Sequence, residues 1–238
     1  MNPLVSLYNE LLWRPLFNGL VWLYVTLPIQ DLGLAIIFLT IAIRLILAPV
    51  LIKGQRAQKT LATLQPEIKR LQNEHKNNKE VQGKALMELY AKHKVNPFSG
   101  CAMALVQLPI LIALFQVFQK GFDPALLSFL YGFVQNPGAL NPVSFGVLDL
   151  AKGNIYLGIF AAASQFFQTK LTLPAAVKPA ADKKDFASIL QWQATYIFPA
   201  LILVWSYTLP SALTLYWTVL NILGILQEII IKKLASRK

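Results

Sequence analysis

An uninterrupted apolar run constrains this chain more than any other feature. The run from Leu32 to Ile52, LGLAIIFLTIAIRLILAPVLI, contains one ionisable side chain, that of Arg44. About 20 apolar residues at 1.5 Å rise per residue match the ~30 Å hydrocarbon core of a bilayer, so the run predicts a membrane-spanning helix. An arginine near the middle of a bilayer costs about 2.5 to 3.5 kcal/mol. Arg44 therefore indicates a function that offsets this cost.

The composition agrees with a membrane location. Of the 238 residues, 55% are hydrophobic and only 14% are charged, whereas soluble domains carry about 25% charged residues. The formal net charge of +11 could suggest nucleic acid as a partner. In a membrane chain it instead favours anionic lipid headgroups and whatever docks on the cytoplasmic face, without recognition of a specific nucleic-acid sequence.

The predicted fold class is an all-α polytopic membrane protein. Five transmembrane helices enclose a polar groove, and a cytoplasmic helical hairpin and an N-terminal interfacial amphipathic helix complete the fold. The expected organisation is an external interfacial segment at 1–30, spans at 31–53, 97–119, 154–169, 193–209 and 212–231, the hairpin at 54–96, an external loop at 120–153, a cytoplasmic loop at 170–192 and a basic tail at 232–238.

The N-terminal segment is apolar but interrupted. Leu4, Leu7, Tyr8 and Leu11 share one helical face, and Pro15 is expected to break the pattern. This favours an interfacial helix with aromatic rings at headgroup level, with a sixth span as the alternative. The segment lacks a basic n-region and a small-residue cleavage site, so we expect it to belong to the mature protein.

The segment after the first span is basic and aqueous. Lys53 to Lys94 holds ten Lys or Arg against four Glu. Two apolar stripes separated by Asn77-Asn78 predict an antiparallel helical hairpin, with a kink before Pro66.

The distribution of basic residues predicts the topology. The hairpin, the 170–190 loop and the C-terminal IKKLASRK together hold 18 Lys or Arg, whereas the other side holds Arg14, Lys120 and Lys152. By the positive-inside rule the basic side is cytoplasmic, so the N-terminus lies outside and the C-terminus inside.

The sequence shows no arrangement of residues typical of catalysis, metal binding or cofactor binding. Both histidines, His75 and His93, lie in the basic segment, and no nucleophile with a base, metal-ligand cluster or phosphate-binding loop is present. Glu228 stands alone near the end of the last span. We therefore expect no enzyme and no cofactor.

Polar residues inside the predicted spans are the remaining signal. Thr40 and Arg44 lie one turn apart on one helix face, and Gln107, Gln165 and Gln168 can point at them from other spans. A groove with one unpaired cation would attract a chain carrying Asp or Glu. The alternative is that Arg44 snorkels to the interface while the glutamines join helices.

Five blocks of the chain resemble one known family. RPLFNGLVW, TIAIRLILAP, LQPEIKRLQ, KVNPFSGCAMALVQLPILIALFQ and LPSALTLYWTVLNILGILQE occur in the order of the YidC-type membrane protein insertases, which include the mitochondrial oxidase-assembly translocase and the chloroplast Albino insertase. The resemblance implies a groove open to the cytoplasm and to lipid, and a mobile hairpin needed for insertion.

The resemblance also implies which residues contact the client. Arg44, Thr40 and Gln107 match the groove positions of the family, and Tyr216 and Trp217 match its last-span aromatic pair. Gln165 and Gln168 are additions from the polar pattern alone. The large periplasmic domain of many Gram-negative members is not in this sequence, and the basic tail is short, so a long ribosome-binding tail is not expected.

Three function classes follow from these features. The first is an insertase and chaperone for nascent membrane proteins, acting alone or with the Sec translocon, and contacting the translating ribosome weakly. The second is a small-solute transporter or channel using the same polar cavity. The third is a structural scaffold, for which Arg44→Ala has no phenotype.

Overall fold

The computed structural model describes residues 3–96, 99–120, 123–172, 189 and 192–235, and for 99–104 and 234–235 it describes the backbone alone. The chain is mainly helical. The helices are α1 (Pro3–Tyr8), α2 (Arg14–Thr26), α3 (Leu32–Thr63), α4 (Gln65–Glu74), α5 (Lys79–Lys92), α6 (Ser99–Lys120), α7 (Ile155–Thr172), α8 (Phe198–Trp205) and α9 (Ser211–Ala235). Shorter elements are π-helical turns at Asn9–Trp13 and Gln193–Ile197, a 3₁₀ helix at Pro124–Phe129, and strands β1 (Val143–Ser144) and β2 (Leu148–Asp149).

Two helices are long and apolar enough to cross a bilayer by length and composition. They are Leu32–Thr63, with a mean hydropathy of 2.7, and Ser211–Lys233, with 1.5. The apolar helical stretches Leu105–Lys120 and Gln193–Trp205 are shorter, so the five-span arrangement stays a prediction. The expected loop at 170–192 and the end of the tail fall largely outside the described residues.

The N-terminal segment corrects the expectation that Pro15 breaks the helix. The chain is helical from Pro3 to Thr26, because the π-helical turn places the Arg14 amide on the carbonyl of Asn9. Pro15 then occupies the first turn of α2, where its missing N–H is tolerated. One face of α2 is buried in the main core through Phe17, Leu20, Val21 and Tyr24.

Helix α3 continues past the end of the predicted first span. It runs unbroken past residue 53 to Thr63, and the chain bends at Leu64 before Pro66 enters the first turn of α4. The Asn78 side chain caps α5 by accepting from the amides of Glu80 and Val81, each at 3.2 Å. Leu64, Ile68 and Leu89 form a small separate core between α4 and α5, so the predicted helical hairpin is present.

The 123–154 segment contains a two-stranded antiparallel sheet that the all-α expectation missed. Val143 pairs with Asp149 and Ser144 with Leu148. The tight turn between the strands uses positive φ at Phe145 (52°) and Gly146 (74°), which glycine adopts readily. Lys152, three residues after Asp149 at the end of β2, lies 2.8 Å from the Asp149 carboxylate, and this hydrogen bond lowers the pKa of Asp149.

Hydrogen bonds join this sheet and its turn to the start of α3. Asp31 caps the helix by accepting from the Leu34 amide at 2.9 Å, and its other oxygen accepts from the Phe145 amide at 2.6 Å. The Ser144 hydroxyl accepts from the Gly33 amide at 2.7 Å. Three otherwise unpaired backbone donors are thereby satisfied, which fixes the end of α3 opposite to the hairpin.

Helix α7 packs against both α8 and α9, and α9 also packs against α3. Gly158 of α7 lies against Ser206, which follows α8 and is only 1% exposed. A Cβ added at Gly158 would lie 2.5 Å from Cβ of Ser206. The approach of α7 to the end of α8 therefore requires glycine.

We expect Gly158→Ala to lower the free energy of unfolding by about 1 to 3 kcal/mol, because a methyl group is forced into a filled contact. Thermal unfolding in detergent measures the change. The matched control is Gly83→Ala in the exposed hairpin, where nothing lies within 4 Å of the added Cβ. That change should stabilise α5 by about 0.5 to 1 kcal/mol, and an equal loss in both variants would contradict the packing account.

Candidate functional site

Arg44 lies in the interior of the helix assembly without a counter-charge. Its side chain is half-buried, and its Nε is buried without a hydrogen-bond partner. Among the described residues, no carboxylate lies within ion-pair distance of Arg44. No neighbouring carboxylate of the described residues therefore compensates the charge of the guanidinium, and Nε remains an unused donor.

The side chains of Arg44 and Gln168 both lie close to Gly224 of α9. A Cβ at Gly224 would lie 3.2 Å from an Arg44 terminal nitrogen and 3.0 Å from the Gln168 Cδ. Helices α3, α7 and α9 thus bring together two of the predicted residues over a glycine that the sequence analysis missed. The available signal was a lone glycine inside an otherwise continuous helical pattern.

Gln107 and Tyr216 form a direct contact between α6 and α9. The Gln107 amide donates to the Tyr216 hydroxyl at 2.6 Å, and Tyr216 is 1% exposed. Trp217 is also buried, and it packs against the rings of Trp205 and Phe198 with centroid distances of 6.3 Å each. The predicted aromatic pair therefore divides its contacts between the polar interior and α8.

Thr40 and Gln165 make their hydrogen bonds within their own helices. The buried Thr40 hydroxyl donates to the Ile36 carbonyl at 2.6 Å, so it presents no free donor. The Gln165 amide donates to the Thr169 hydroxyl at 3.2 Å. Of the two glutamines predicted in α7, Gln168 is thus the one that the structure places beside Arg44.

A buried asparagine adds a polar contact that the sequence analysis did not select. Asn221 of α9 is 1% exposed, and its amide donates to the Ser164 hydroxyl at 3.1 Å and to the Ala161 carbonyl at 3.4 Å. It lies one turn from Trp217 and one turn from Gly224. Asn221 therefore joins α9 to α7 next to the Arg44 site.

Glu228, which has no other candidate metal ligand near it in the sequence, is paired with two lysines in the structure. Its Oε1 accepts from Lys59 of α3 at 2.6 Å and lies 3.5 Å from Lys232. Beside this pair, the Gln227 amide donates to Gln55 at 2.7 Å. Lys232 follows Glu228 by four residues on the same helix. Lys59 and Gln55 lie more than 160 residues from their partners, so no local pattern could have joined those pairs.

The arrangement presents a cation among neutral hydrogen-bonding groups. The described residues contain no group of three or more His, Cys, Asp or Glu that could hold a metal ion. An uncompensated guanidinium, neutral amides and a phenol can bind an anionic group by charge-assisted hydrogen bonds. Fold and site together define a class: a mainly helical membrane protein with a cationic polar site among its helices.

Comparison with known proteins identifies the family within this class. Residues 22–238 match the family described as 60Kd inner membrane protein. A membrane protein insertase YidC from Fusobacterium nucleatum is 35% identical over 205 residues, which cover 86% of this chain and 88% of that protein. The chain therefore belongs to the 60Kd inner membrane protein family, and its relatives support an insertase function in a bacterial inner membrane.

Other relatives are longer than this chain. The membrane protein insertase YidC of Francisella philomiragia is 34% identical over 203 residues, covering 84% of this chain but 32% of that protein. A crystal structure of an active YidC insertase with its first transmembrane domain resolved has a TM-score of 0.55 at 25% identity. The similarity covers 92% of this chain and 46% of that one.

We expect the Gln107–Tyr216 contact to appear as an interaction energy in a double-mutant cycle. Gln107→Leu leaves a buried hydroxyl without its donor, which costs about 1 to 3 kcal/mol. Adding Tyr216→Phe removes that hydroxyl, so the double variant should lose less stability than the sum of the single variants. Thermal unfolding in detergent gives the values.

The control for the cycle is Tyr207→Phe, a hydroxyl deletion at a ring that is 76% exposed. It should leave stability unchanged with either residue at position 107. Strict additivity of Gln107→Leu and Tyr216→Phe would contradict a functional hydrogen bond between them.

Proposed function

We propose that the protein inserts newly made membrane proteins into the bacterial inner membrane and assists their folding. Arg44 receives the polar or acidic tail of the client, and the apolar client helices then leave sideways into lipid. The proposal is supported by a difference between two charged side chains of the interior: among the described residues, one has partners of opposite charge and the other has none. Glu228 is paired with two lysines, whereas Arg44 has a buried Nε without a partner.

An anionic client offsets the cost of the buried cation. Two unit charges 4 Å apart attract by about 4 kcal/mol at an effective dielectric near 20, against about 1 kcal/mol in bulk water. This is comparable to the cost of bringing a charged side chain part-way into a membrane. Gln168 beside Arg44 and the buried pair of Gln107 and Tyr216 add polar surface for the rest of the tail.

The proposed topology has five spans, at 31–53, 97–119, 154–169, 193–209 and 212–231. The basic hairpin at 54–96, the loop at 170–192 and the tail at 232–238 face the cytoplasm, with the 1–30 segment and the 120–153 loop outside. The two long apolar helices α3 and α9 support this arrangement, as does the excess of Lys and Arg on one side. The hairpin moves during insertion.

The partners follow from this role. Nascent membrane proteins are the clients, received alone or beside the Sec translocon. The basic hairpin and tail contact the translating ribosome weakly and anionic lipids at the cytoplasmic surface, where each basic residue contributes about 1 kcal/mol. The protein acts without enzymatic catalysis, because client binding and release to lipid supply the driving force.

The charge at position 44 tests the proposal. With the protein reconstituted in liposomes, Arg44→Lys should retain most insertion of a client with an acidic tail, because the cation remains. Arg44→Glu should lose it, because like charges repel. Protease protection of the translocated tail measures insertion.

Arg56→Glu is the matched control, since it reverses an exposed charge on the same helix, about 18 Å along the axis from Arg44. It should insert the client nearly as well as the unchanged protein. Equal insertion by all three residues at position 44 would refute the electrostatic mechanism. Ion flux without client insertion in the same liposomes would indicate a transporter instead.

A further inference from the structure

Glu228 is a carboxylate buried at the hairpin-side end of the helix assembly. It is 0% exposed, one oxygen accepts from Lys59 at 2.6 Å, and Lys232 lies 3.5 Å from the same oxygen. The other oxygen, Oε2, is buried without a hydrogen-bond partner. Burying a carboxylate is costly unless cations compensate it, so the two lysines hold this charge in place.

Lys59 and Glu228 join the two helices that also form the Arg44 site. Glu228 lies one turn along α9 from Gly224, and Lys59 lies on α3 about 10 Å beyond the apolar run that ends at Ile52. The neighbouring contact between Gln55 and Gln227 is buried as well. A chain segment that moves from the hairpin side towards Arg44 along the seam between α3 and α9 therefore meets Lys59 first.

The two partners differ in their access to solvent. The Lys59 side chain is 30% exposed, whereas that of Glu228 is fully buried. An incoming anion can reach the ammonium of Lys59 without reaching Glu228. A client carboxylate has the same chemistry as Glu228, so it can replace Glu228 on Lys59, while Lys232 remains to compensate the buried charge.

Resting on the proposed function, we infer that Glu228 occupies Lys59 as an internal substitute for the client carboxylate, and that acidic client tails displace it on their way to Arg44. Lys59 is then the first binding position for the tail, and Glu228 sets the selectivity by competing with it. Neutral tails gain nothing from this exchange. The ion pair thus favours acidic tails over other polar tails.

Two clients that differ only in the tail, Asp/Glu against Asn/Gln, test the exchange in liposomes containing the full chain. Glu228→Gln should raise the initial insertion rate of the acidic-tail client about two- to five-fold, the effect expected for loss of a competing, partly exposed ion pair. The neutral-tail rate should not change. Adding Lys59→Gln should abolish the gain.

The matched control is Glu80→Gln, which removes a carboxylate from the exposed pair with Lys84, 2.8 Å apart. It should alter neither client. A purely structural bridge would instead be restored by the charge swap Lys59→Glu with Glu228→Lys. Wild-type insertion of the acidic tail by that double variant would overturn the inference, as would equal effects of Glu228→Gln on both clients.

If Glu228→Gln does not fold, carbodiimide coupling on the unchanged protein tests the inference instead. A carbodiimide activates solvent-exposed client carboxylates, which then couple to lysines in contact with them. The acidic-tail client should couple to Lys59 more than to the exposed Lys92 of the hairpin; absence of a Lys59 adduct would overturn the inference. Two results in parallel separate this inference from the proposed function: undiminished insertion by Arg44→Glu contradicts only the role of Arg44, whereas absence of client insertion by the unchanged protein contradicts the function itself.

Discussion

The unpaired charge of Arg44 is the constraint on which the surrounding structure depends. Neutral groups approach it: Gln168 shares the space over Gly224 with it, and Tyr216 is held by Gln107 further along α9. Amides and hydroxyls can solvate a guanidinium, but they cannot cancel its charge. The interior therefore keeps a positive site at which any added carboxylate gains more than it would in water.

Helix α9 organises the polar contacts because its successive turns contact three other helices, α6, α7 and α3. Tyr216 contacts α6, and Asn221 contacts α7. Gly224 leaves space for the side chains of Arg44 from α3 and Gln168 from α7. Glu228 binds Lys59 of α3. Buried polar groups that are satisfied by specific partners fix the rotation and height of a helix more strictly than apolar packing does. The unsatisfied Nε of Arg44 is significant because most of its polar neighbours are satisfied.

The sequence predicted the features that depend on local composition and missed those that depend on distant pairing. Arg44 could be selected because it interrupts an apolar run, and the hairpin because its stripes flank Asn77-Asn78. The contact between Lys59 and Glu228 was missed because these residues lie 169 positions apart. Pro15 was read as a break, since a π-helical turn that accommodates a proline has no simple sequence pattern.

Helix α3 connects the hairpin mechanically to the Arg44 site. It is unbroken from Arg44 to Thr63, but Pro49 lies within it between Arg44 and Lys59. A proline removes one hydrogen bond of the helix and favours a kink, so bending there costs less than elsewhere in α3. The Lys59–Glu228 pair holds the part of α3 beyond Pro49 against α9. Asp31 and Ser144 bind the opposite end of α3 to the loop that joins the two strands, so polar contacts fix α3 on both sides of Pro49.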